Sequence, residues 1–285
     1  SYSIDERIIR LALIGSKHEH TQNNLNRTNN NNTELAIWIS NKAKSELRRI
    51  FNILLHNCIR TKGTATYYSI KAIGLEGSEI GPLSYGMYSG LMGIAVFSGL
   101  YSKYENSSSA AKLTNEFLST ILHSLNNKDT PHPRPPDLLG LDGLGGILYG
   151  ASVLASELPN SPALELAHKA AAAITNELIE SSTTECLIWG LAGGILGLVR
   201  YYKQTSSISA LEKIYHLTDI IIERSELYSI THPPDKNRKV IIGMAHGLCG
   251  IALALHSVYQ LTNSKKANDA VVQIESILAR SWSPT

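Results

Sequence analysis

Cysteine is scarce in this chain: three in 285 residues, at Cys58, Cys186 and Cys249. Thiols so few and so scattered exclude a disulfide framework and fit a reducing, cytoplasmic setting. A charge excess is also lacking. Charged residues are 18% of the chain, and 26 Lys+Arg against 24 Asp+Glu leave +2, which gives no reason to expect nucleic acid or an anionic membrane as partner. The longest apolar runs are interrupted by Gly or polar residues and fall short of a membrane span. No N-terminal segment joins a basic region, an apolar stretch and a cleavage site, so secretion is not indicated. The chain opens on Ser1 rather than Met and closes on Trp282-Ser-Pro-Thr285 without an obvious cap, so a segment of a longer protein is expected. At this length the chain can bury a substantial core, as one large domain or two ordinary ones.

The first third is irregular. Ile4, Ile8, Ile9, Leu11 and Ala12 predict a short amphipathic helix over residues 4–14. The run from Asn23 to Asn32 predicts a loop, because Asn side chains compete with helical backbone hydrogen bonds. From Glu34, the spacing of Leu47, Ile50, Phe51, Leu54, Leu55 and Cys58 predicts a helix with one apolar stripe. Lys42, Lys44, Arg48 and Arg49 form a basic face on it, which is expected to be solvated, with leader-peptide docking as the sharper alternative. Residues 64–80, with Thr64, Thr66, Tyr67, Tyr68, Ile70 and Ile73 punctuated by Gly74 and Gly77, predict a small β-hairpin ended by Pro82. The domain division expected is 1–62, N-terminal helices with the Asn-rich loop, and 63–285.

After Pro82 the chain repeats. Gly-Leu-x-Gly occurs at Gly90, Gly143, Gly190 and Gly247, at intervals of 53, 47 and 57 residues, about one helical hairpin each. Every copy opens a helix that is apolar nearly all round: Leu91–Tyr101, Leu144–Ala155, Leu191–Tyr202 and Leu248–Tyr259. Such helices are expected to be buried on all sides. Each is followed by a single-striped helix: Leu113, Phe117, Leu118, Ile121, Leu122; then Ala167, Ala170, Ala171, Ile174, Leu178; then Leu211, Ile214, Tyr215, Ile221, Ile222; then Ala270, Val271, Ile274, Ile277, Leu278. Buried helices alternating with striped ones give an all-α fold, a double-layer α/α toroid or solenoid. The repeat glycines are expected to let backbones approach and to leave the helix-start amides open. The residues just before the repeats, Ser89, Asp142, Trp189 and His246, converge at one mouth in such a ring. Only the last copy carries His.

These residues resemble a known family. Gly81-Pro-Leu-Ser-Tyr-Gly-Met-Tyr-Ser-Gly-Leu-Met-Gly-Ile-Ala-Val-Phe97, Gly140-Leu-Asp-Gly-Leu-Gly-Gly-Ile-Leu-Tyr149 and Gly243-Met-Ala-His-Gly-Leu-Cys-Gly-Ile-Ala-Leu-Ala-Leu255 are similar to repeats of the lanthipeptide synthetase cyclase (LanC-like) domain. The lead-in through Pro82 and the tail Ile274-Glu-Ser-Ile-Leu-Ala-Arg-Ser-Trp-Ser-Pro284 resemble the class II, bifunctional type, in which a dehydratase precedes the cyclase on one chain. The resemblance runs from about residue 80 to the end, four copies of a repeat of which the family ring has about seven. It implies a central zinc and a precursor (leader–core) peptide whose Ser and Thr have been dehydrated to dehydroalanine and dehydrobutyrine. A peptide thiol, about 8.5 in pKa when free, is bound by the metal as thiolate and adds to the dehydro residue. The family's Gly-x-x-His-Gly histidine exchanges the protons, which carries over to His246 as catalytic acid–base, with a histidine satisfied by backbone carbonyls at a helix start as the plainer alternative.

Two departures stand out. The family's zinc ligands are a Cys in Trp-Cys-x-Gly and a later Cys-His or Cys-Cys pair, and this chain contains none of these, so no metal ligand is assigned. The family also usually places Asp four residues before the third repeat, where this chain has Cys186 with Glu185 beside it. Site-lining expectations are therefore Ser89, Asp142, Glu185, Cys186 and Trp189, each with a plainer alternative as a loop or packing residue. His246 and Cys249, three apart, lack a third ligand. Cys249, Cys186 and Cys58 read as small apolar fillers, and His132 sits in a rigid Pro131–Pro136 connection. The reading is a segment of a lanthionine-forming cyclase, inactive by itself. A non-catalytic remnant or peptide-binding module without zinc is the alternative. A carbohydrate-active barrel is disfavoured because Asp142 is the only carboxylate at the convergent positions.

Overall fold

The computed structural model describes residues 25–73, 77–126, 138–231 and 241–281. The helix expected over 4–14 and the Pro131–Pro136 connection lie outside the described residues. The chain divides into two compact units, residues 1–56 and 57–285.

In the first unit, helix α1 runs over Leu25–Asn57. The expected Asn-rich loop is corrected here: Leu25 to Asn32 are helical. Asparagine's disadvantage in a helix is only about 0.7 kcal/mol per residue, small enough for a long helix to absorb. The apolar stripe is partly as expected, with Phe51 buried at 3% exposure and Ile50 exposed. The basic face is laced by Glu46, which lies 2.7 Å from Arg49 and 3.7 Å from Lys42. Arg49 holds the Glu46 carboxyl below its usual range.

The second unit begins with two antiparallel hairpins rather than one. Strand β1 (Ile59–Thr61) pairs with β2 (Thr64–Thr66), and β3 (Tyr68–Ile73) pairs with β4 (Gly77–Pro82) in the register Tyr68↔Pro82. Lys62 and Gly63 both take positive φ, the conformation that closes a two-residue hairpin loop. The first hairpin is fastened to helix α3 (Ser108–Asn126). Ala65 N–H donates to Thr120 Oγ1 at 3.0 Å, and the hydroxyl donates back to Ala65 O at 2.8 Å. Arg60 grips both carboxylate oxygens of Glu116 at 2.7 Å, and the rings of Tyr67 and Phe117 stand 5.7 Å apart.

Four helical hairpins follow: α2 (Leu91–Tyr104) with α3; α4 (Leu144–Glu157) with α5 (Ala163–Ala173) and α6 (Asn176–Ser181); α7 (Leu191–Thr205) with α8 (Ile208–Thr231); and α9 (Leu248–Thr262) with α10 (Lys265–Ser281). Inner helices pack in chain order, α2 on α4 on α7 on α9, and each carries its own outer partner. This is the two-layer arrangement of a helical toroid. Three hairpin turns share one construction. A left-handed residue, Asn106, Ser206 or Asn263, follows the inner helix, and the next residue, Ser107, Ser207 or Ser264, caps the outer helix by accepting the N–H three residues on. These serines supply the side-chain acceptor that a helix start needs.

The expectation that every inner helix is buried all round holds best for α4, where Ile147, Leu148, Ala151 and Leu154 are wholly enclosed. It is corrected for the two end helices: Leu100 of α2 and Leu253 of α9 are each 41% exposed, because α2 packs mainly on α4 and α9 mainly on α7 among the inner helices described. The second striped segment is also corrected. Its helix breaks after Ala173, Ile174 is buried in the break, and Thr175 caps a separate α6 by accepting Leu178 N–H at 3.3 Å. On α8 the buried face is Ala210, Ile214, Leu217 and Ile221, leaving Tyr215 exposed.

Candidate functional site

Each inner helix is entered from a loop that folds back over its own start. Leu91 N–H donates to Ser84 O, Leu144 to Leu138 O, Leu191 to Thr184 O and Leu248 to Ile241 O, all within 2.7–3.0 Å. The helix-start amides expected to stay open are therefore taken by the lead-in backbone, which leaves no free donor at those leucines.

The lead-in loops also bond to one another in series. Met87 N–H donates to Leu141 O at 2.8 Å, Asp142 N–H to Ile188 O at 2.8 Å, and Ile188 N–H to Ala245 O at 3.2 Å. Glycine permits that closeness. A Cβ at Gly140 would strike the backbone of Ile188 and Trp189, and one at Gly86 would strike the backbone of Asp142. Successive loops are thus held side by side, so the residues just before each Gly-Leu-x-Gly lie along one rim.

On that rim the convergent residues form two pairs. Ser89 donates to Asp142 Oδ1 twice, through its backbone N–H at 3.1 Å and its hydroxyl at 2.7 Å. Trp189 and His246 put their ring centroids 4.4 Å apart. His246 is exposed and Asp142 half-buried. Cys186 Sγ lies 3.6 Å from His246 Nδ1 and accepts the Trp189 N–H at 3.4 Å. Among the described residues, Cys186 is therefore the thiol that reaches the histidine, and Cys249 has no bond to it.

Glu185 goes elsewhere. Its Oε1 lies 3.1 Å from Nη1 of Arg224 on α8, and the same guanidinium donates to Ser182 O at 2.8 Å. The residue beside Cys186 is thus bound to the outer layer, and its neighbour's thiol is what meets the imidazole. Arg224 carries no signal in the sequence, because its role depends on a contact 39 residues away. Cys58 is structural: its S–H donates toward Thr66 O at 3.7 Å, and burial pushes the thiol's pKa up.

No three His, Cys, Asp or Glu side chains among the described residues come together as a metal site. Cys186 and His246 are two donors, whereas a zinc centre takes three or four from the protein, so the described residues do not fit zinc.

No curated protein matches the chain closely. Residues 81–282 match the family model described as lanthionine synthetase C-like protein. The match starts at the lead-in to the first inner helix and takes in all four repeats and the rim they carry, so the chain belongs to the lanthionine synthetase C-like family.

Proposed function

We propose that this chain is part of a lanthionine-forming cyclase, of the class II type with a dehydratase on the same cytoplasmic parent chain. It joins peptide Cys thiols to dehydroalanine or dehydrobutyrine in a precursor peptide. Family membership points to cyclase-type chemistry on peptides in general. The observation that carries the finer reading is the seating of His246. Nδ1 faces Cys186, the ring rests against Trp189, and the side chain is exposed on the rim.

An imidazole so held has Nε2 free to serve substrate. It takes the proton of the incoming peptide thiol as sulfur bonds to the β-carbon. The alkene π pair moves onto the amide as an enolate. The imidazolium then returns a proton to Cα, so the net change is one thiol added across one double bond. Trp189 limits the ring's rotation and offers a flat apolar surface beside it. The described residues do not provide the ligands of the family's zinc.

A second reading, a peptide-binding module that has lost catalysis, is favoured by two observations. The described donors number two, and Glu185 is engaged by Arg224 rather than by the histidine. The deciding experiment uses a Cys-containing peptide bearing dehydroalanine. Ring closure leaves its mass unchanged and removes the thiol that N-ethylmaleimide would label. The protein from the complete reading frame is expected to close the ring and to lose that activity on His246→Ala, while residues 1–285 alone bind the peptide without closing it. Absence of ring closure by the complete protein, with peptide binding retained, would establish the binding-module reading instead.

A further inference from the structure

The rim brings a thiol and an imidazole together from loops 60 residues apart. Cys186 Sγ lies 3.6 Å from His246 Nδ1 and accepts a backbone donor, Trp189 N–H, at 3.4 Å. The imidazole can take the S–H proton, and the imidazolium with the amide then supports the thiolate. Neighbouring carboxylates are engaged elsewhere, Glu185 by Arg224 and Asp142 by Ser89. Cys249, at the start of α9, bonds to neither member of the pair among the described residues. Cys186 is half-buried and His246 exposed, so the pair faces the rim where substrate would lie.

We propose that Cys186 and His246 form a thiol–imidazole pair that adds to a dehydroalanine-type alkene and leaves a protein-linked thioether on Cys186. The proposal rests on the reading that the chain handles dehydrated Ser and Thr. The Cys186 proton passes to Nδ1, and sulfur bonds to the β-carbon. The alkene π pair becomes an amide enolate. Nδ1–H of the imidazolium, beside the new C–S bond, protonates Cα and restores the starting tautomer. One thiol adds across one double bond with no oxidant, reductant or leaving group. The reaction is stoichiometric, one adduct per chain, and competes with ring closure for the same alkene.

The test treats the full chain with N-acetyl-dehydroalanine methyl ester, and in parallel with iodoacetamide, at neutral pH. The three cysteines fall in separate tryptic peptides, so mass spectrometry reads each one's rate, with Cys249, also half-buried, as internal reference. Cys186 is expected to outpace Cys249 roughly tenfold with both reagents, and His246→Ala or His246→Gln to remove that advantage. Equal rates, or rates unchanged by either His246 variant, would overturn the pair. Histidine-dependent iodoacetamide labelling without a dehydroalanine adduct would overturn the addition step. Ring closure is scored separately on the peptide's own thiol. An adduct without ring closure by the complete protein therefore counts against the cyclase reading alone.

Discussion

Asp142 accepts two hydrogen bonds from Ser89 on the neighbouring repeat, at 3.1 Å from the backbone and 2.7 Å from the hydroxyl. The same rim position in one repeat thereby fastens itself to the same position in the next. Asp142→Ala removes both bonds and is expected to cost about 1 kcal/mol, with Ser89→Ala costing about half of that because its N–H bond survives. The double variant is expected to be no less stable than Asp142→Ala alone, since the two residues act as one unit. Urea unfolding of the four proteins checks this. Additive losses would show that the two side chains stabilise the loops separately.

Burial, not distance, should decide the worth of the ion pairs. Arg60–Glu116 and Lys103–Glu157 are 2.7 and 2.6 Å apart, but the Glu116 side chain is 10% exposed and that of Glu157 36%. Glu116→Ala is expected to cost about 2 kcal/mol, because a gripped guanidinium loses both acceptors and the first hairpin loses its anchor on α3. Glu157→Ala is expected to cost about 0.5 kcal/mol or less. Chemical denaturation distinguishes the two, and similar losses would contradict the argument from burial.

Close approach of α4 and α7 depends on Gly197, where a Cβ would press on the carbonyl oxygen of Gly145. That atom is backbone and cannot swing aside. Gly197→Ala is therefore expected to destabilise the protein by about 3 kcal/mol. Gly243, in the last lead-in loop, has nothing within 4 Å of such a Cβ, so Gly243→Ala should stay within about 0.5 kcal/mol of the parent. Thermal melts of the two variants test the contrast.

Alkaline pH should loosen the first hairpin. Burial raises the pKa of both Cys58 and Tyr67 above their ordinary values. The folded chain thus keeps protons that the unfolded chain releases, so the unfolded state binds fewer protons and stability falls as pH rises. The stability is fully present well below about pH 8.5, where a free thiol is half ionised, and declines above it. Urea midpoints between pH 7 and 10 are expected to fall less steeply in Cys58→Ala than in the parent. Parallel curves would assign the alkaline loss to other groups.

The fold was legible because its signals are local. Four Gly-Leu-x-Gly starts, inner helices apolar nearly all round and outer helices with one stripe are properties of windows shorter than 20 residues, and helical periodicity reports them directly. Errors came where several weak preferences met a longer element, as at the Asn-rich start of α1, or where burial broke a helix, as at Ile174. The split into two hairpins, β1–β2 and β3–β4, was equally hidden, since only Tyr67 separates β2 from β3.

From sequence alone came the repeat, its glycines, the lone histidine at the last copy and the Cys186 that stands where the resembled family usually has Asp. Tertiary structure decided which side chains meet. It linked the lead-in loops by backbone bonds, sent Glu185 to Arg224 on the outer layer, and set Cys186 rather than Cys249 against His246. Periodicity constrains neighbours one helical turn apart, whereas those contacts join residues 39 and 60 positions apart. Their partners depend on how neighbouring hairpins stack, which no local pattern encodes.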